Sequence, residues 1–131
     1  MNATDVARIF SEMATLLELT GANPFRARAY QNAGRALESI TEDIEVLVRE
    51  DRLGEVSGVG KGLAASIAEL VTTGSLKEYD ELRAKVPDGV LEILELPGLG
   101  PKRVRRIWED LGVTNIGELE YACRENRLAA L

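Results

Sequence analysis

The residues of this chain with chemical use are mostly glycines. In Val56-Ser57-Gly58-Val59-Gly60-Lys61-Gly62-Leu63, two glycines flank one apolar residue just before an apolar-periodic stretch. Glycine lets a chain turn where a Cβ would obstruct it. A turn of that kind at the start of a helix leaves backbone N–H groups free. It also points the positive end of the helix dipole outward, and together these hold an anion. Val59 is free to point back between the flanking helices. Side-chain chemistry is sparse by comparison. The 131 residues include no histidine and one cysteine, Cys123. A catalytic histidine, a zinc site built on Cys and His, and an intrachain disulfide are therefore excluded. Ser66 has no neighbouring base that would make it a nucleophile.

The glycine pattern returns, with Gly98 lying 40 positions after Gly58, as Leu96-Pro97-Gly98-Leu99-Gly100-Pro101-Lys102-Arg103. At the same offset Leu53 matches Ile93, Ile67 matches Ile107 and Glu69 matches Glu109. Ser75-x-x-Glu78 matches Asn115-x-x-Glu118, and both read as capping boxes at helix starts. One G-x-G reads equally well as a tight turn between helices. Two in register are a duplicated unit. The unit has the pattern of a helix-hairpin-helix, a binder of nucleic-acid backbone without sequence preference.

The net charge of −6 argues against broad, clinging attachment to DNA. Its distribution points the other way. No acid occurs over 19–37, 56–68 or 96–108, the windows that hold both hairpins and most of the clustered arginines. This describes a local backbone-gripping face on an acidic body. There is no signal-peptide pattern and no long apolar run, so the expectation is a cytoplasmic protein with no membrane partner, monomeric by default.

The elements that must position the hairpins all read as helices. Val6, Ile9, Phe10, Met13, Leu16 and Leu17 repeat at helical spacing up to Gly21, a C′ residue. Asn23-Pro24 opens a second helix with Phe25, Ala29, Tyr30, Ala33, Leu37 and Ile40 on or near one face. Thr41 is the expected cap of a third helix. After the first hairpin a helix runs from about Lys61 to Thr73 and is closed by Gly74. Ser75 is expected to open the next, with Leu76, Tyr79, Leu82 and Val86 inward. Pro87-Asp88-Gly89 marks a boundary, with Asp88 capping a short helix through Leu94. A helix from Pro101 ends near Gly112, and the last runs from about Ile116 into Arg124.

Three stretches together resemble the N-terminal part of family X DNA polymerases, above all the bacterial and archaeal relatives of polymerase beta. They are Asn23-Pro24-Phe25-Arg26-Ala27-Arg28-Ala29-Tyr30, Val56 to Gly60, and Leu96-Pro97-Gly98-Leu99-Gly100-Pro101. The likeness covers essentially the whole chain. It implies an all-α fold: a four-helix 8-kDa-type domain over 1–86 with the first hairpin, then a small helical subdomain over 87–131 with the second. In the family a polymerase palm with metal-binding aspartates follows. This sequence ends at Leu131 before any palm, so the expectation is the DNA-holding front end alone, whether stand-alone or cut from a longer polymerase.

The resemblance implies DNA repair and a gapped, nicked or 5′-phosphorylated DNA partner. The first hairpin grips the downstream 5′-phosphate side and the second the primer strand. The implied DNA-binding residues are Gly58, Val59, Gly60, Lys61, Gly62, Gly98, Leu99, Gly100, Lys102 and Arg103, with Arg26 and Tyr30 from the second helix. No cofactor is required. Na+ or K+ is the candidate ion at the hairpins, held by backbone carbonyls of Gly54, Val56 and Val59 and of Leu94, Leu96 and Leu99. Beta-type members excise 5′-deoxyribose phosphate with a lysine that here is Ser66, so no catalytic residue is expected. Other basic positions of their phosphate pocket are here Gly54, Gly62 and Glu78. Two further classes stay open: a lyase using a different lysine, and a helical protein–protein module.

Overall fold

Side-chain caps and left-handed glycines set the helix limits. The computed structural model describes residues 1–126, and positions 127–131 of the expected second unit lie outside them. Helix α1 (Ala3–Leu19) opens with a capping box in which the Asn2 side chain accepts from the Asp5 N–H at 2.9 Å and the Asp5 carboxylate accepts from the Asn2 N–H. It ends, as expected, at Gly21. The Ala22 N–H reaches the Leu17 carbonyl at 2.9 Å and the Gly21 N–H that of Glu18, the paired bonds of a Schellman motif. Asn23 caps α2 (Pro24–Glu38) through the Phe25 N–H. Then come α3 (Ile44–Arg49), a single 3-10 turn (Leu53–Glu55), α4 (Lys61–Thr73), α5 (Lys77–Lys85), α6 (Asp88–Leu94), α7 (Pro101–Leu111) and α8 (Ile116–Arg124). The fold is all-helical over the described residues, with a hairpin before α4 and another before α7.

Three expected caps are not the ones the structure uses. Asp43, not Thr41, caps α3, because its carboxylate reaches the Glu45 N–H at 2.9 Å. Ser75 does not open α5. The helix begins at Lys77, whose N–H donates to the Glu69 carboxylate at 2.7 Å, and Glu78 is drawn elsewhere. Pro87 holds the cap position of α6, and Asp88 is the first helical residue, bonded to Arg83 at 3.2 Å.

Helices α1 and α2 pack along each other, and α4, α5 and α7 also rest on α1. Phe10 and Tyr30 meet edge to face with ring centroids 4.9 Å apart. Gly34 brings α2 close to the Ala7 carbonyl. The buried cluster is mostly leucine, isoleucine, valine and alanine, with Phe10, Met13 and Tyr30 among them. Phe25 is the exception: 75% exposed, it sits at the very start of α2, short of the packed face, with the Arg28 guanidinium 5.9 Å from its ring centroid. Helix α6 packs against α7 and α8. Its approach to α8 is very tight, since a Cβ on Gly89 would lie 2.0 Å from the Thr114 carbonyl oxygen.

Candidate functional site

Both hairpins are built alike. A turn bond joins the Val59 N–H to the Val56 carbonyl at 3.2 Å, with Gly58 at φ +96°. Its counterpart joins Leu99 to Leu96 at 3.4 Å, with Gly98 at φ +84°. That left-handed conformation is why glycine stands at both positions. Gly60 and Gly100 then take the N-cap positions of α4 and α7, and neither helix has a side-chain cap. The first helical bonds are Ala64 N–H to Gly60 and Val104 N–H to Gly100, at 2.8 and 3.0 Å. The amides of Lys61, Gly62 and Leu63, and of Lys102 and Arg103, precede them and are open to an anion. All five hairpin glycines singled out from the sequence are exposed: Gly58, Gly60, Gly62, Gly98 and Gly100. Val59 points back into the core, while Leu99 is only half-buried against it.

The basic residues divide into paired and unpaired. Arg105 and Arg106 lean on Glu109 and Asp110 one turn on, at 3.2 and 3.9 Å. Arg52, ahead of the first hairpin, is tied to Glu55, Glu50 and Glu42 at about 3 Å each. Lys61, Lys102 and Arg103 are exposed, and no carboxylate pairs with them among the described residues. Arg28, Arg35, Arg49 and Lys85 likewise have no carboxylate partner among the described residues, and Lys61, Lys102 and Arg103 are the free cations at the helix starts beside the glycines.

The carbonyls expected to face a monovalent cation have few competing partners. Those of Gly54, Val59, Leu94 and Leu99 accept no hydrogen bond from a described donor. Those of Val56 and Leu96 accept one each and keep a second lone pair. Neutral carbonyl oxygens of this kind suit Na+ or K+. No group of three or more Cys, Asp or Glu placed to hold a metal ion exists among the described residues.

Helices α2, α4 and α5 meet at an open cleft of about 610 Å3 beside the first hairpin. Arg26, Tyr30, Gly58, Gly60, Gly62, Ser66 and Glu78 all line it, so positions far apart in the sequence share one site. Gly54 and Lys61 are not among its lining residues. The sequence did not reveal how Glu78 is used. Its carboxylate accepts from Arg26 Nη2 and from Arg26 Nε at 3.1 Å, and its second oxygen accepts from the Tyr30 hydroxyl at 3.2 Å. Ser66 Oγ lies 3.4 Å from that hydroxyl. These partners are about fifty residues apart, and the one sequence signal was an acid where the family has a base.

The bond to Glu78 raises the Arg26 pKa, against an opposing effect of burial. Burial also raises the Tyr30 hydroxyl's pKa, opposed by Ser66 and reinforced by the charge of Glu78. The folded state thus holds this proton more tightly than the unfolded chain does. The resulting stability is complete below the ordinary tyrosine value of about 10 and is lost as pH rises through the folded value. Melting temperatures followed from about pH 9 to about pH 11 should fall less for Tyr30→Phe than for the parent chain. Equal slopes would place the alkaline loss elsewhere.

Paired helices, each pair joined by a glycine turn with uncapped amides, define a helix-hairpin-helix protein. A family model described as a helix-hairpin-helix domain matches residues 1–76, and one described as a SAM-like helix-hairpin-helix tandem matches residues 90–131. The chain belongs to the helix-hairpin-helix domain family. It is similar to the DNA polymerase/3′-5′ exonuclease PolX of Bacillus subtilis (strain 168), with 34% identity over all 131 residues. The match falls in the N-terminal part of that family X polymerase, as the resemblance implied, and the chain spans 22% of its length. No described helix is long and apolar enough to cross a membrane.

Proposed function

We propose that this chain holds DNA by its backbone, without reading sequence, at gaps, nicks or 5′-phosphorylated ends, as the DNA-holding front end of a family X polymerase or a stand-alone relative acting in DNA repair. The observation that carries this reading is the repeated hairpin: uncapped amides, exposed glycines and an unpaired basic side chain at the start of both α4 and α7. Units 1–86 and 87–131 would each supply one grip. Lys61, Lys102 and Arg103 meet phosphates directly. A Na+ or K+ ion on the hairpin carbonyls would bridge to further phosphates, which suits a protein of net charge −6.

Titration with gapped duplex at low salt tests the reading. Affinity should fall as salt rises and change little with sequence. Gly100→Val isolates close backbone approach, because Gly100 has φ −90° and a Cβ there meets nothing within 4 Å. It should weaken binding roughly tenfold, the size of one lost charge-assisted contact, with only a small fall in melting temperature from replacing the glycine N-cap of α7. Gly58→Val is less clean, since φ +96° makes a side chain there strained. Absence of salt-sensitive binding would favour the protein-interaction module instead.

A further inference from the structure

The cleft beside the first hairpin has one cationic side chain among its lining residues, Arg26, and that cation already faces an anion. Glu78 accepts from two guanidinium nitrogens with one oxygen and from the Tyr30 hydroxyl with the other. A terminal phosphate entering the cleft would use the same donors, since guanidinium and phenol hydroxyl bond carboxylate and phosphate oxygens in the same way. We infer that Glu78 is an internal stand-in for the 5′-phosphate: it occupies the Arg26–Tyr30 donor pair and suppresses discrimination between phosphorylated and hydroxyl 5′ ends.

The inference rests on the backbone-binding reading and deepens it. Both hairpins remain open to internucleotide phosphates, which are the same whichever group ends the strand. The terminal phosphate alone must compete with Glu78. To bind, it must displace a carboxylate held at two donor groups and then lie beside that displaced charge. Arg26 and Glu78 are about half and one third exposed, so the pair is accessible and can open.

The experiment compares gapped duplexes that differ only in a downstream 5′-phosphate or 5′-hydroxyl, at one fixed low salt concentration. For the parent chain the two affinities should agree within about threefold. Glu78→Gln should raise the preference for phosphate about tenfold, the effect of one released charge-assisted contact. Its amide is isosteric and can still accept from Tyr30. Removing any acid favours DNA in general, so the control is Glu81→Gln, an exposed acid three residues along α5. Glu81→Gln should strengthen both duplexes equally and leave the ratio unchanged. Adding Arg26→Gln to Glu78→Gln should abolish the gained preference. An unchanged ratio in Glu78→Gln overturns the inference while leaving backbone binding intact, and so does a gain that survives loss of Arg26. If neither the parent nor Glu81→Gln binds either duplex, the inference falls together with the reading beneath it.

Discussion

Replacing Gly89 with alanine is expected to destabilise the protein more than any single hairpin glycine substitution. Its φ is unremarkable, so the demand is for space. A Cβ would lie 2.0 Å from the Thr114 carbonyl oxygen, 2.9 Å from Asn115 Cβ and 3.0 Å from Asn115 Cα. The first and last of these atoms are backbone and cannot swing aside as the end of a long side chain does. They also belong to the α8 cap, where the Asn115 side chain accepts from the Glu118 N–H at 2.8 Å and Thr114 donates to Glu118 at 2.7 Å. Relieving the clash means moving α6 from α8 or breaking that cap. The expected cost is about 1–3 kcal/mol from overpacking, with up to about 1 more if the cap is lost. Urea unfolding should show a lower midpoint with the slope unchanged. Gly100→Ala, at a site with open space, should cost no more than about 1 kcal/mol, the loss of a glycine N-cap. A Gly89→Ala midpoint equal to the parent's would show that α6 and α8 are not packed this closely.

The second large effect is an absence of chemistry. Borohydride treatment of the protein with gapped DNA carrying 5′-deoxyribose phosphate is expected to trap no covalent adduct. An imine needs an uncharged amine aimed at C1′ of the sugar, and Ser66 supplies a hydroxyl. That hydroxyl faces the Gly62 carbonyl and the Tyr30 hydroxyl, both at 3.4 Å, and neither is a base. Lys61 does not line the cleft, and Lys77 lies 4.0 Å from Glu81. Ser66→Lys should restore at most weak trapping. An ordinary lysine titrates near ~10.4, and a carboxylate close to the new amine would hold its proton on rather than release it. Removing Glu78 as well should therefore increase trapping. An adduct on the parent chain mapping to Lys61 or Lys77 would show that another lysine carries out the lyase reaction.

What could be read from the sequence was whatever is encoded within a few residues. The two hairpins follow from glycines whose conformation no other residue takes easily. Gly21 and Gly74 end helices by the same left-handed conformation, and Asn23-Pro24 and Asn115 begin them through the asparagine side chains and the fixed φ of proline. The caps of α3 and α6 were misplaced by only one or two positions, and the larger errors arose where distance along the chain is large. Ser75-x-x-Glu78 is as good a capping box on paper as Asn115-x-x-Glu118. Only the second caps its helix, and only by half of the box. The Asn115 side chain accepts from the Glu118 N–H, while the Glu118 carboxylate takes the Thr114 hydroxyl and the Asn115 side-chain amide. Glu78 has been taken by Arg26 and Tyr30 from α2. Phe25 fitted an apolar face by spacing, yet at the start of α2 it stands 75% exposed. Gly89 looked like one residue of a loop boundary, and nothing nearby announces that α8 lies against it. The cleft was partly legible, because the resemblance named its positions but not the ion pair within it.

Helix α1 carries one more consequence. It touches α2, α4 and α5 and also α7, and the Arg105 guanidinium lies across Gly21 at its end. The two grips therefore share a mount and need no flexible tether. On the proposed function this makes the protein bivalent. Once one hairpin has engaged a strand, the other meets the same molecule at an effective concentration set by a fixed spacing, which for closely linked sites is on the order of millimolar. Two individually weak contacts then act as one firm clamp on any DNA whose phosphates match that spacing. A fixed span of this kind selects the shape of the DNA, and no side chain has to read a base.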